Sequence, residues 1–123
     1  MAPSKKYTQK SRERLPSVQP SGKRDEPVQQ LIHDLVRQVP RGRVTTYGAI
    51  AAVLGLSNPR MVGRAMRSAE ADLPAHRVIN STGHITGDHR SFRRERLELE
   101  NVQVKADRVV DFARLFWDPA KEL

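Results

Sequence analysis

The sequence predicts a small, mainly α domain of the α+β class, built on a helix-turn-helix in a winged-helix-like arrangement. Three observations predict it. Apolar residues recur at helical spacing over 27–38. Two shorter helices carry their own start and stop residues and are joined by Gly55-Leu56-Ser57-Asn58. Late in the chain, 102–110 is short and β-prone.

Residues 1–25 read as a disordered basic arm, with seven Lys/Arg, three Pro and few large apolar side chains to offset the entropy of ordering. Lying along DNA is the functional role such an arm would have. The folded part is expected over 26–123. Val28, Leu31, Ile32, Leu35, Val36 and Val39 keep the i, i+3, i+4, i+7 rule, which predicts a helix over 27–38, stopped by Pro40 and Gly42. Residues 43–45 form an extended link. Thr46 caps a second helix, 47–54, with Ala49, Ile50, Val53 and Leu54 as its apolar stripe and Gly55 as its end. Asn58 followed by Pro59 starts a third, 59–68, because Asn caps and Pro tolerates the first helical position.

On that third helix Arg60, Arg64 and Arg67 are spaced by four and three and share one face, while Val62 and Met66 lie on another. A helix placed after such a turn, in a chain of net charge +8, predicts contact with phosphates or a groove. Gly63 costs roughly 1 kcal/mol against Ala in mid-helix, so either packing or close approach to a ligand must require it. Residues 73–96 read as a loop rich in Gly, Ser, Thr and Asp, and 91–102 as a helix with Phe92, Leu97 and Leu99 available for packing. Residues 111–123 form a C-terminal segment whose Phe116 and Trp117 are expected to dock on the core.

Composition narrows the chemistry. The 123 residues hold one modest core, with 37% hydrophobic and 29% charged residues. The absence of Cys excludes disulfides, Cys-ligated zinc and a thiolate nucleophile. No apolar run approaches the ~20 residues that cross a bilayer. The charged N-terminus has no hydrophobic stretch behind it, so a cytoplasmic protein is expected, nucleoid-associated if bacterial. The four histidines lack metal-ligand spacing, and no phosphate-binding or nucleophile-elbow motif occurs, so neither a metal nor a cofactor is expected. His76 stands beside Ala75, which offers nothing to activate. From the residues alone, this is a basic helix-turn-helix domain with a histidine-bearing loop and no visible nucleophile.

Three stretches carry a resemblance. Val39-Pro-Arg-Gly-Arg-Val-Thr-Thr-Tyr-Gly-Ala-Ile-Ala51, Arg60-Met-Val-Gly-Arg-Ala-Met-Arg67 and Pro74-Ala-His-Arg-Val-Ile79, followed by Ser81-Thr-Gly83, resemble the C-terminal DNA-binding domain of the O6-alkylguanine-DNA alkyltransferases over 26–103. That family's reactive motif is Pro-Cys-His-Arg. With Ala75 at the cysteine position, the chain resembles the alkyltransferase-like proteins, which keep the fold and lack the alkyl acceptor. Leu115-Phe-Trp-Asp-Pro119 is similar to the aromatic end of that subgroup.

The resemblance implies a non-enzymatic sensor of O6-alkylguanine in double-stranded DNA that flips the base from the minor groove and marks it for nucleotide excision repair proteins. Arg60 would fill the gap in the stack, and Tyr47 would press on the adjacent phosphate. Gly63 would keep the recognition helix slim, with Arg64 and Arg67 on the DNA. Met66 and Pro74, Ala75, His76, Arg77 and Val78 would wall the pocket, and a basic residue of the shortened 85–97 loop would contact the lesion, with Arg90 the nearest candidate and His89 or Arg93 able to substitute. His76 and Glu100 match the relay that forms the thiolate elsewhere in the family, and here would serve loop geometry. The alternative is a helix-turn-helix transcriptional regulator indifferent to alkylation. No dimerisation stripe is evident, and a monomer is expected.

Overall fold

The protein's structure, a computed structural model, describes residues 21–68 and 72–123. Helix α1 spans Ser21–Val36. It begins before the predicted position, so 21–25, assigned above to the basic arm, are helical; 1–20 lie outside the described residues. Pro27 is therefore inside the helix, where its missing N–H removes one backbone bond without ending the element. From the α1 stripe Ile32, Leu35 and Val36 are buried, Val28 is half-buried and Leu31 is 45% exposed.

The helix-turn-helix forms as its local signals dictate. Helix α2 is Tyr47–Val53, and the Thr46 side chain accepts from the Ala49 amide at 3.0 Å. Its end is a Schellman turn. Gly55 takes φ +70°, its amide donates to Ala52, and the Leu56 amide donates to Ala51. Helix α3 is Arg60–Arg67, and Asn58 Oδ1 accepts from the Arg60 amide at 2.9 Å. Helix α3 packs on both α1 and α2.

The predicted 73–96 loop contains more structure than its composition suggested. A 3-10 turn, Ala75–Arg77, leads into strand β2, Val78–Ile79, which pairs in parallel with β1, Thr45–Thr46. The link expected over 43–45 is thus partly strand. Helix α4 spans Arg90–Leu99, ending three residues before the predicted limit. Of its three candidate packing residues only Leu97 is buried; Phe92 and Leu99 are 57% and 72% exposed. The β-prone stretch is a hairpin, β3 Val104–Lys105 against β4 Arg108–Val109. Helices α5, Phe112–Leu115, and α6, Pro119–Glu122, end the chain.

Two apolar clusters flank the β1–β2 pair. One joins α1, α2 and α3 through Ile32, Leu35, Val36, Ile50, Val62 and Ala65, and includes Val78 and Trp117. The other gathers Val44, Ile79, Ile85, Leu97, Val102 and Val109. Neighbouring residues Val78 and Ile79 go to different clusters because strand side chains alternate. The docking expected of Trp117 is present: it is buried in the first cluster, and its amide donates to the Val44 carbonyl at 2.7 Å. Arg43 fastens the same segment, donating to the Leu115 and Phe116 carbonyls at 2.9 and 2.8 Å.

Candidate functional site

Helix α3 divides its chemistry between two sides. At 100° per residue Arg60, Arg64 and Arg67 fall within one narrow sector, and Val62, Ala65 and Met66 lie opposite. The second set packs inward: Val62 and Ala65 are buried and Met66 is half-buried against the first core. The arginines are exposed, and among the described residues their guanidinium groups make no hydrogen bond or ion pair. Three cations on one exposed face make a surface of concentrated positive charge.

Two glycines flatten this unit. A Cβ at Gly63 in α3, or at Gly48 in the first turn of α2, would meet nothing within 4 Å. The packing explanation for Gly63 is thereby removed among the described residues, and close approach from outside remains. Tyr47 is half-buried against the first core at the start of α2.

The second part of the site is the 3-10 turn, which α4 packs against. Pro74 and Ala75 are half-buried, and His76 and Val78 are buried. Glu100, just past the end of α4, anchors the turn. Its carboxylate accepts from His76 Nε2 at 2.6 Å, from Arg77 Nε at 3.0 Å and Nη2 at 2.7 Å, and from the Gly42 amide at 2.9 Å. Arg77 Nη1 donates to the Val39 carbonyl at 2.9 Å. One carboxylate therefore joins the α1–β1 turn, the 3-10 turn and the end of α4.

Burial opposes the charge on Glu100, but the Arg77 guanidinium, the Gly42 amide and His76 together outweigh it and hold the carboxyl down at about 2. Burial pushes His76 below the ordinary imidazole range, with the Glu100 contact only partly opposing it. At neutral pH the pair is a carboxylate accepting from a neutral imidazole. That is the arrangement a general base needs, yet the residue beside it is Ala75, whose methyl has no proton to give.

Arg77 and Arg90, both expected at the lesion, also have partners within the fold. The guanidinium nitrogens of Arg77 bind Glu100 and Val39, so it holds the turn from within. Arg90 opens α4, 58% exposed, with Nε 3.9 Å from Asp107. Gly42 and Arg43 lie in the first of the three family-like stretches, with no role at the site evident from sequence. The positive φ of Gly42, +82°, signals the turn that aims its amide at Glu100. No group of three or more potential metal ligands occurs among the described residues.

Residues 27–103 match the model of the 6-O-methylguanine DNA methyltransferase DNA-binding domain family. The chain is 42% identical over 82 residues to alkyltransferase-like protein 1 of Schizosaccharomyces pombe, covering 59% of this chain and 74% of that protein. It is 33% identical over 111 residues to the DNA base-flipping protein of Escherichia coli K12, covering 86% and 85%. Its fold is similar to the crystal structure of the fission yeast protein Atl1 in complex with damaged DNA containing O6-carboxymethylguanine. The TM-score there is 0.67 at 31% identity, over 75% of this chain and 95% of that one.

Proposed function

The chain belongs to the alkyltransferase-like members of the 6-O-methylguanine DNA methyltransferase DNA-binding domain family, and we propose that it recognises O6-alkylguanine in duplex DNA without removing the alkyl group. One observation carries this reading. The His76–Glu100 pair is hydrogen-bonded and buried beside Ala75, whose methyl stands where a nucleophile would be needed. The arrested pair preserves the shape of the turn, and Ala75 leaves room for an adduct.

Recognition requires the base to leave the stack, at a cost of a few kcal/mol. Arg60, at the N-terminal end of α3 with a guanidinium unengaged among the described residues, is the side chain suited to occupy the gap. Arg64 and Arg67 supply phosphate contacts along the same face, and Tyr47 meets the backbone of the extruded nucleotide. Minor-groove readout is degenerate, so discrimination falls to the pocket of Met66 and Pro74–Val78 rather than to flanking sequence. Handing the lesion to nucleotide excision repair proteins completes the role, with the protein acting as a monomer.

A labelled O6-methylguanine duplex tests the reading. Selective retention of the lesion duplex, with no label on the protein and no released base, supports it; label transfer, or equal binding of intact DNA, refutes it. Arg60→Ala is expected to weaken lesion binding by up to about 2 kcal/mol, part of the cost of unstacking one step, as measured by titration of the lesion duplex. Gly63→Ala is expected to stabilise the folded protein by up to about 1 kcal/mol, since nothing among the described residues opposes the methyl. The same variant should bind DNA less tightly. Thermal melting and titration of one preparation would show the two effects moving in opposite directions.

A further inference from the structure

His33 is a buried histidine of α1 outside the site just described, 6% exposed. Its Nε2 lies 2.8 Å from the carbonyl oxygen of Ala65 in α3. A carbonyl only accepts, so Nε2 carries the proton and donates. Ala65 is in the last turn of α3, where carbonyls lack an intrahelical partner. Its oxygen also takes the Ser68 hydroxyl at 3.1 Å and the Ser68 amide at 3.3 Å. The bond from His33 is the shortest of the three and comes from a different helix.

From this geometry we infer that His33 is a positioning residue for DNA binding: it fixes the C-terminal turn of α3 on α1 and so sets where Arg64 and Arg67 meet the phosphates. The inference rests on the proposed DNA-binding role of α3. Apolar contact between α1 and α3 holds the helices together but is non-directional. Rotation or sliding of α3 by a fraction of a turn keeps most of that contact, yet carries the guanidinium groups on the far side away from their targets. A hydrogen bond between fixed atoms on the two helices removes that freedom. Ala65 is adjacent to Arg64 and two positions before Arg67, so the constraint acts where the cations are.

The test uses the full chain with His33→Leu, which keeps the apolar volume and removes the donor, and His33→Gln, which retains an N–H. The Ser68 bonds leave Ala65 with partners, so both variants are expected to melt cooperatively. Titration with the lesion duplex at several salt concentrations should show His33→Leu binding about tenfold more weakly, with a flatter salt dependence as one phosphate contact is lost. His33→Gln should bind within about threefold of the parent, a rescue that loss of packing alone would not produce. Unchanged affinity and salt slope in a folded His33→Leu overturn the inference, as does equal loss in both variants. Nitrogen NMR of the unaltered protein gives an arm independent of folding: a proton on Nε2 with slow exchange supports the bond, and a proton on Nδ1 alone overturns it. If the parent protein itself fails to prefer the lesion duplex, the proposed function fails first, and that result is distinct from normal parent binding with unaffected variants.

Discussion

Trp117→Ala should destabilise the protein by about 3–5 kcal/mol, the range for truncating a large buried aromatic. The indole is 5% exposed and belongs to the cluster formed by all three helices of the DNA-binding unit. Its neighbours Phe112 and Leu115 pack against the other cluster, so the segment 112–117 spans both. Backbone bonds join Val44 to Leu115 and Trp117, and removal of the ring is expected to loosen them. The loss should therefore exceed that of deleting a side chain from one cluster alone. For a domain of about 100 residues, 3 kcal/mol lowers the melting temperature by at least about 12 °C. Trp117→Phe, which keeps an aromatic, should lose much less. Calorimetry of the two variants decides: a drop for Trp117→Ala no larger than that of Trp117→Phe would show that the segment lies on the fold without supporting it.

Glu100→Gln is expected to destabilise by about 3 kcal/mol at neutral pH, because it leaves the Arg77 guanidinium, 16% exposed, without its counter-charge. It should also weaken lesion binding although Glu100 faces the protein, since the 3-10 turn loses its anchor. The effect has a pH signature. The folded carboxyl titrates at about 2 and the unfolded one near its ordinary 4.5, so between these values the unfolded chain binds the extra proton. Stability from this group is complete above pH 4.5 and is lost as pH falls toward 2. His76 acts in the same direction at higher pH. Its folded value is lowered, so acidification below 6.5 protonates the unfolded chain first and favours it. Urea titrations from pH 7 to 2.5 should show the gap between parent and Glu100→Gln narrowing below pH 4.5. A constant gap would mean that the carboxylate charge contributes nothing.

The helix-turn-helix was legible because its punctuation is local. Thr46, Gly55 and Asn58 each act within three or five residues of themselves, and each does in the structure what its chemistry implies. Strand β2 was not legible: two residues are too few to show alternation, and their partner β1 lies across α2 and α3 in sequence. The roles of Phe92 and Leu99 were misjudged because apolar residues on a short helix do not say which side the core is on. At the 3-10 turn, the pairing of His76 with Glu100 was legible only through the resemblance, while the use of Arg77 depends on where Val39 and Glu100 come to rest. Spacing along the chain cannot report that. His33 had no signal beyond its type, since a polar residue flanking an apolar stripe becomes informative only when its partner is known.

The ties that finish this structure are long in sequence. Gly42 meets Glu100 across 58 residues, and Arg43 meets Leu115 across 72. Helical content suggests a rapid folder, but folding rate follows the mean separation of contacting residues more than helix content. The slow step should therefore be closure of these distant loops. Refolding should be paced by late capture of the chain's end, with the recognition helix formed early and waiting.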